Sequence, residues 1–223
     1  MRREAMIGDK LNIKQFHIDA AADIAALLHQ ELSSAAGVRV LTVAGQSGAG
    51  KSEIAYALSE KLGEKGIKCA ILQQDDYFVH PPKTNAAKRR EDLGHVGMSE
   101  VKLSLIEKNL ESILGGAASV EKPLVVYEDD RITSEVMDVT GVRVVIVEGT
   151  YVTALDNAHH RVFIDRTYLD TAAARLERAR EEQDDHLEKV LKIEHGIISK
   201  HKERADIIVT RDYKVEMGGV VDG

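Results

Sequence analysis

LTVAGQSGAGKSEIAYAL (Leu41–Leu58) passes from an apolar run through a glycine-rich turn into a stretch with helical spacing. Gly45, Gln46, Ser47, Gly48, Ala49, Gly50, Lys51 and Ser52 fit the phosphate-loop pattern G-x-x-x-x-G-K-[ST] in full. Each position has a physical task. Glycines permit positive φ and let backbone N–H groups approach phosphate oxygens closely. The helix that follows turns its unsatisfied N–H groups and positive dipole end toward the same anion. Lys51 brings a mobile positive charge to the β- and γ-phosphates, and the Ser52 hydroxyl is a ligand for Mg²⁺. The motif, with a strand before it and a helix after it, predicts a nucleotide triphosphate site.

Outward from this loop, strands and helices alternate. Apolar positions Ile24, Leu27, Leu28 and Leu32 predict a helix over Asp19 to Ala36, stopped at Gly37. "VRVLTVA" and "KCAILQQ" read as strands flanking a helix from Lys51 to Lys65. The run "HPPKTNAAKRREDLGH" holds two of the three prolines and reads as a loop. A helix is expected from Ser99 to Leu114, then strands at "KPLVVYEDD", "VRVVIVEG" and "HRVFIDR". Helices from Leu169 to Glu182 and onward to Arg204, a last strand "ADIIVTRD" and a mobile tail "GGVVDG" complete the chain. This order predicts an α/β, three-layer P-loop NTPase fold: a central parallel sheet with helices on both faces, in one domain over 1–223. Residues 1–37 form an N-terminal helical extension.

Two further strands end in acids. In open parallel sheets ligands bind beyond the carboxyl ends of the strands, which puts Glu148 of "VVIVEG" beside the phosphate loop as a holder of Mg²⁺ or its water. Asp75 and Asp76 of "QQDDYF" end another strand, where a carboxylate can accept the proton of an attacking hydroxyl. Neighbouring side chains on extended backbone point opposite ways, so one of the two faces the site; the residues alone leave open which.

The order of phosphate loop, "DDYF", "VVYEDDR", "VIVEG", arginine-rich helix and "ADIIV" resembles the uridine kinase and phosphoribulokinase family of P-loop kinases over roughly Val38 to Thr210. The resemblance implies ATP and Mg²⁺ as cofactors, adenine as the base, Asp75 as the catalytic base and Tyr77 on the acceptor side. It implies Glu148-Gly149 as the family's strand-end "EG", Tyr127 and Arg131 as acceptor contacts, and a lid over 168–186 whose Arg175, Arg178 and Arg180 close over the phosphates. A lid also has a physical rationale, since phosphoryl transfer needs positive charge on the migrating group and exclusion of water. The uridine-binding segments are altered. His95 in "EDLGHVG" matches the histidine of the family's N-F-D-H-P segment, while Gly94 falls on its aspartate. The stretch after Tyr127 is shorter than the uridine kinase pattern and lacks its histidine. The ATP side is retained and the acceptor side is rewritten.

The nine histidines show no metal-ligand spacing; His80 and His95 are expected as polar contacts to an acceptor. The net charge of −7, with no basic run, predicts no nucleic-acid partner. No segment has the ~20 apolar residues of a membrane span. A lone cysteine, Cys69, and an N-terminus without an apolar signal core predict a cytoplasmic protein with a structural thiol. The expected partner is a small-molecule hydroxyl acceptor, with a homo-oligomer left open. Two other readings remain: an NTP-hydrolysing switch or ATPase, although the N-K-x-D guanine-reading segment of GTPases is absent, and a non-catalytic nucleotide-binding module.

Overall fold

The computed structural model describes residues 11–178 and 184–219. Its centre is β1 (Arg39–Gly45), which lies parallel between β5 (Val144–Gly149) and β6 (His160–Ile164). β2 (Cys69–Gln73) pairs with β5, and β7 (Ile207–Val209) with β6, both in parallel. β8 (Val215–Met217) returns antiparallel against β7, giving the six-stranded order β2-β5-β1-β6-β7-β8. A separate hairpin pairs β3 (Ser119–Val126) with β4 (Arg131–Asp138).

Near-continuous apolar strands need cover on both faces, and the alternation of side chains sorts them. Leu41, Val43, Val144 and Ile146 pack on one face against α1 (Gln15–Ser34) and α2 (Lys51–Gly63), through Ile24, Leu28, Ile54 and Leu58. Val40, Val145, Val147 and Phe163 pack on the other against Ile106, Leu110 and Ile113 of α4 (Leu103–Leu114) and Ile198 of α6 (Asp185–Ile198). Each such side chain contributes about 1.5–3 kcal/mol by leaving water. The result is the predicted three-layer α/β architecture around a mostly parallel sheet. The N-terminal extension supplies α1, which forms part of this core.

Three expectations change. The run from His80 to His95 contains α3 (Pro82–Glu91) and a 3-10 turn at Leu93–His95. Pro82 occupies the first helical turn, where its missing N–H costs nothing, and the Asp130 carboxylate accepts the Lys83 and Thr84 N–H groups at 2.6 and 3.0 Å. The strand expected at "KPLVVYEDD" is β3, which ends at Val126 and has an unanticipated partner in β4, and β8 follows the strand expected to be last. The tail expected to be mobile begins with Gly218, whose N–H donates to the Asp206 carbonyl at 2.8 Å; residues 220–223 lie outside the described residues. Burial pushes the Cys69 thiol up to about 12, leaving it protonated and unreactive. Among the described residues, no helix is long and apolar enough to cross a membrane.

Candidate active site

The phosphate loop leaves β1 at Gly45 and enters α2 at Lys51. Gly48 and Gly50 have φ of 74° and 94°, a conformation that side chains disfavour. A Cβ on Gly48 would meet Arg175 Cγ at 3.1 Å, and one on Gly50 would meet His17 Nε2 at 2.9 Å. The loop is therefore enclosed by the start of α5 (Ala172–Arg178) on one side and by α1 on the other. Lys51 Nζ donates to the Gln46 carbonyl at 3.1 Å, which keeps its ammonium over the loop.

Glu148 shares the alternation of Val144 and Ile146 and so emerges on the α2 face. There it accepts a hydrogen bond from Ser52 Oγ at 3.0 Å. Burial, reinforced by the nearby Asp75 charge and opposed by Lys51, pushes the Glu148 carboxyl up to about 7. The Ser52 hydroxyl and the Glu148 carboxylate fit Mg²⁺: both are hard oxygen donors, and a cation would offset the burial and the Asp75 charge that raise Glu148. Among the described residues, no cluster of three or more His, Cys, Asp or Glu forms a metal site, so any Mg²⁺ here rests on few protein ligands, as is usual beside phosphates.

Gly149 is fixed by its neighbour. A Cβ there would overlap the Gln74 side chain, which is fully buried and accepts the Tyr151 N–H at 2.7 Å. Gly149→Ala must displace Gln74 and break that bond. A thermal melt is expected to show a loss of about 2–4 kcal/mol.

A cavity of about 520 Å³ lies against the phosphate loop. Ser47, Gly48, Lys51, Ser52, Asp75, Glu148 and Arg175 line part of it. Further walls are built by Phe78 after β2, by Pro82, Lys83, Asn85, Arg89 and Arg90 of α3, by Tyr127 at the hairpin tip, and by His186, Leu187, Val190, Leu191 and Glu194 of α6. Arg89 lies in a buried network, pairing with the Glu100 carboxylate and, at 3.0 Å, with Glu194. The α3 and α6 walls are additions to the residues anticipated from sequence. Their signals were present: Asn85 and Arg89 stand at i,i+4, and Leu187, Val190, Leu191 and Glu194 share a helical face.

Several anticipated residues do not line this cavity. Asp76 and Asp75 diverge in the 3-10 turn Gln74–Tyr77 that follows β2. Asp75 faces the cavity, whereas Asp76 turns back and is fully buried against Lys122 at 2.6 Å. Burial pushes its carboxyl up, and Lys122 opposes that. Tyr77 is also fully buried, donating to Asn109 Oδ1 at 3.1 Å. His95 sits behind the wall, with Nε2 at 3.1 Å from Asn85 Oδ1, and the His80 ring lies 5.9 Å from the His95 ring. Arg131 opens β4 at the surface, 3.5 Å from the Asp129 carboxylate. Of the acceptor contacts implied by the resemblance, Tyr127 alone reaches the cavity.

At the lid position, Thr171 Oγ1 donates to the Ser47 carbonyl at 2.8 Å, and Arg175 Nη1 donates to Thr171 Oγ1 and the Tyr168 carbonyl at 2.7 and 2.6 Å. The side chain of Arg178 and the whole of Arg180 lie outside the described residues. Gln46, which was not singled out, is buried and braces the loop. Its Oε1 accepts the Tyr168 N–H at 2.8 Å, and its Nε2 lies 2.7 Å from His195 Nδ1.

Comparison with known proteins gives three results. The sequence model of the Phosphoribulokinase / Uridine kinase family matches residues 40–213. The bifunctional alpha-galactosidase/sucrose kinase of Mediterraneibacter gnavus is 27% identical over 191 residues, 79% of this chain; the chain spans only 20% of that relative. The uridine kinase of Leuconostoc citreum is 27% identical over 183 residues, 76% of this chain and 86% of the relative. Among solved structures, one described as a possible uridine kinase from Bacillus stearothermophilus superposes with a TM-score of 0.59 at 20% identity, over 86% of this chain and 98% of that one. A D-glycerate 3-kinase from Cryptococcus neoformans does so with a TM-score of 0.61 at 14% identity, over 92% and 99%. These two likenesses establish the fold.

Proposed function

The chain belongs to the phosphoribulokinase / uridine kinase family, and we propose that it transfers the γ-phosphate of ATP to a hydroxyl group of a small molecule. The observation that carries this reading is the lining of the cavity. One cavity is walled both by the phosphate loop, Asp75 and Glu148 and by apolar and polar side chains of α3, α6 and the hairpin tip, which leave a chamber for a second molecule. A hydrolase needs room only for water there. This chamber is bounded by Phe78, Leu187, Val190 and Leu191 together with Asn85, Tyr127 and Glu194, which suits a molecule with hydroxyls and an apolar face.

In this reading the backbone of Ser47 to Ser52 holds the phosphates, and Lys51 and Arg175 place positive charge on the group in flight. Ser52 and Glu148 would hold Mg²⁺, which supplies charge neutralisation of the phosphates. Asp75 orients the acceptor hydroxyl and takes its proton as the acceptor oxygen bonds to the γ-phosphorus and ADP departs. The described part of the lid position, residues 168–178, sits against the phosphate loop through Thr171 and Arg175 and helps keep water from it.

Incubation with γ-labelled ATP, Mg²⁺ and a mixed pool of hydroxyl-bearing metabolites tests the reading. Label in one small molecule is the expected result and names the acceptor. Label recovered only as inorganic phosphate, with every pool tried, would favour hydrolysis instead.

A further inference from the structure

We propose that Lys122 is a positioning residue, which with Asp76 clasps the β3–β4 hairpin to the strand end that carries Asp75. It thereby holds the acceptor wall in register with the base. The proposal rests on the kinase reading above.

The clasp is built midway along the hairpin, at the pair Lys122–Glu135. Lys122 is 4% exposed, and its ammonium meets Asp76 Oδ2 at 2.6 Å, Glu135 Oε1 at 2.9 Å and the Pro123 carbonyl at 3.1 Å. These three contacts use every donor an ammonium has. Glu135 stands directly opposite Lys122 across the hairpin, so one cation engages both strands. The second oxygen of Asp76 accepts the Val125 N–H at 2.9 Å. A neutral tether runs in parallel, from Tyr77 Oη to Asn109 and from Asn109 Nδ2 to the Glu121 carbonyl at 2.9 Å.

The tip of the same hairpin touches the other half of the site. Tyr127 lines the cavity two residues after Val125, and Asp130 accepts the N–H groups that open α3. Thr84 Oγ1 adds a third bond to Asp130 at 2.6 Å. α3 carries Asn85 and Arg89 into the chamber. The hairpin is thus a strut: its middle grips the residue next to Asp75, and its tip grips the wall that an acceptor would lie against.

Stability alone does not account for a buried ion pair, because an apolar pair of matching shape holds a fold about as well. A charge pair with every hydrogen bond made does admit only one arrangement. Phosphoryl transfer is sensitive to that, since a displacement of about 1 Å can cost ~10²-fold in rate.

The test is the double variant Asp76→Asn/Lys122→Met, which removes both charges and keeps an acceptor for Val125. Lys122→Met alone would strand a buried carboxylate and is a poor probe. Wild type is assayed first, below both melting temperatures. The expected double variant is folded and binds ATP within about twofold of wild type. Its kcat for transfer falls about tenfold or more, its acceptor KM rises, and the acid limb of its pH–rate profile stays where it was. If that variant does not fold, Asp76→Asn alone repeats the test, with Glu135 still balancing Lys122. Unchanged kcat and acceptor KM in a folded variant would overturn the proposal. So would loss of the acid limb, which would make Asp76 the base. A wild-type protein that hydrolyses ATP but labels no acceptor overturns the kinase reading itself, and the assigned role with it.

Discussion

Asp75→Asn is expected to leave ATP affinity intact and to lower kcat for transfer by about 10²–10⁴-fold, the range for loss of a general base. The asparagine keeps the shape of the side chain on the cavity wall and loses the ability to take a proton. The neighbouring carboxylate is badly placed to substitute, because Asp76 is fully buried on the far side of the turn and held by Lys122. Removing the Asp75 charge should also lower the Glu148 pKa, since that charge helps raise it. Equilibrium binding of a fluorescent nucleotide and steady-state turnover on one preparation separate the two effects. Near-full turnover in a purified Asp75→Asn protein would refute the assignment.

Glu148→Gln should raise the Mg²⁺ concentration needed for half-maximal activity by about 10–100-fold, the usual cost of losing a group that orients a metal or its water. It should also change how the metal-free protein responds to pH. The folded-state pKa of about 7 lies above the unfolded value of 4.5, so the folded protein holds this proton more tightly. Its stabilising contribution is fully present below pH 4.5 and is lost as pH rises through 7, a change of about 3 kcal/mol. Melting the metal-free wild type and variant between pH 4.5 and 8 should show a wild-type decline that the variant lacks. Parallel curves would mean that Glu148 stays ionised throughout.

The parts of the site that were legible in the sequence depend on neighbours in the chain. The phosphate loop is eight consecutive residues, and Glu148 is marked by the strand it ends. What escaped depends on partners far away. α3 is mostly polar and carries no internal cap; its start is completed by Asp130, 46 residues on. The turn that brings Asp130 there needs a positive φ of 47° at that residue, and the sequence between β3 and β4 offers no glycine to announce it. Asp76 and Asp75 look alike until Lys122 appears behind one of them. Tyr77 follows the family's aromatic position, yet Asn109 draws its hydroxyl away from the cavity. The residues that a fold assigns to support are hard to tell from those that do chemistry, because both are polar and both sit at strand ends.

The placement of β1 between β5 and β6 also sets a timetable. The strand that carries the phosphate loop is complete at residue 45, and the second of its two neighbours only at residue 164. At about 5–20 residues per second, a ribosome needs roughly 6–24 s to cover that distance. Throughout that interval Leu41 and Val43 have an open edge on at least one side, exposed to other nascent chains. Non-local pairings of this kind are slow to form. The most recognisable segment of the chain therefore cannot take its working form until residue 164 has been made, long after its own residues.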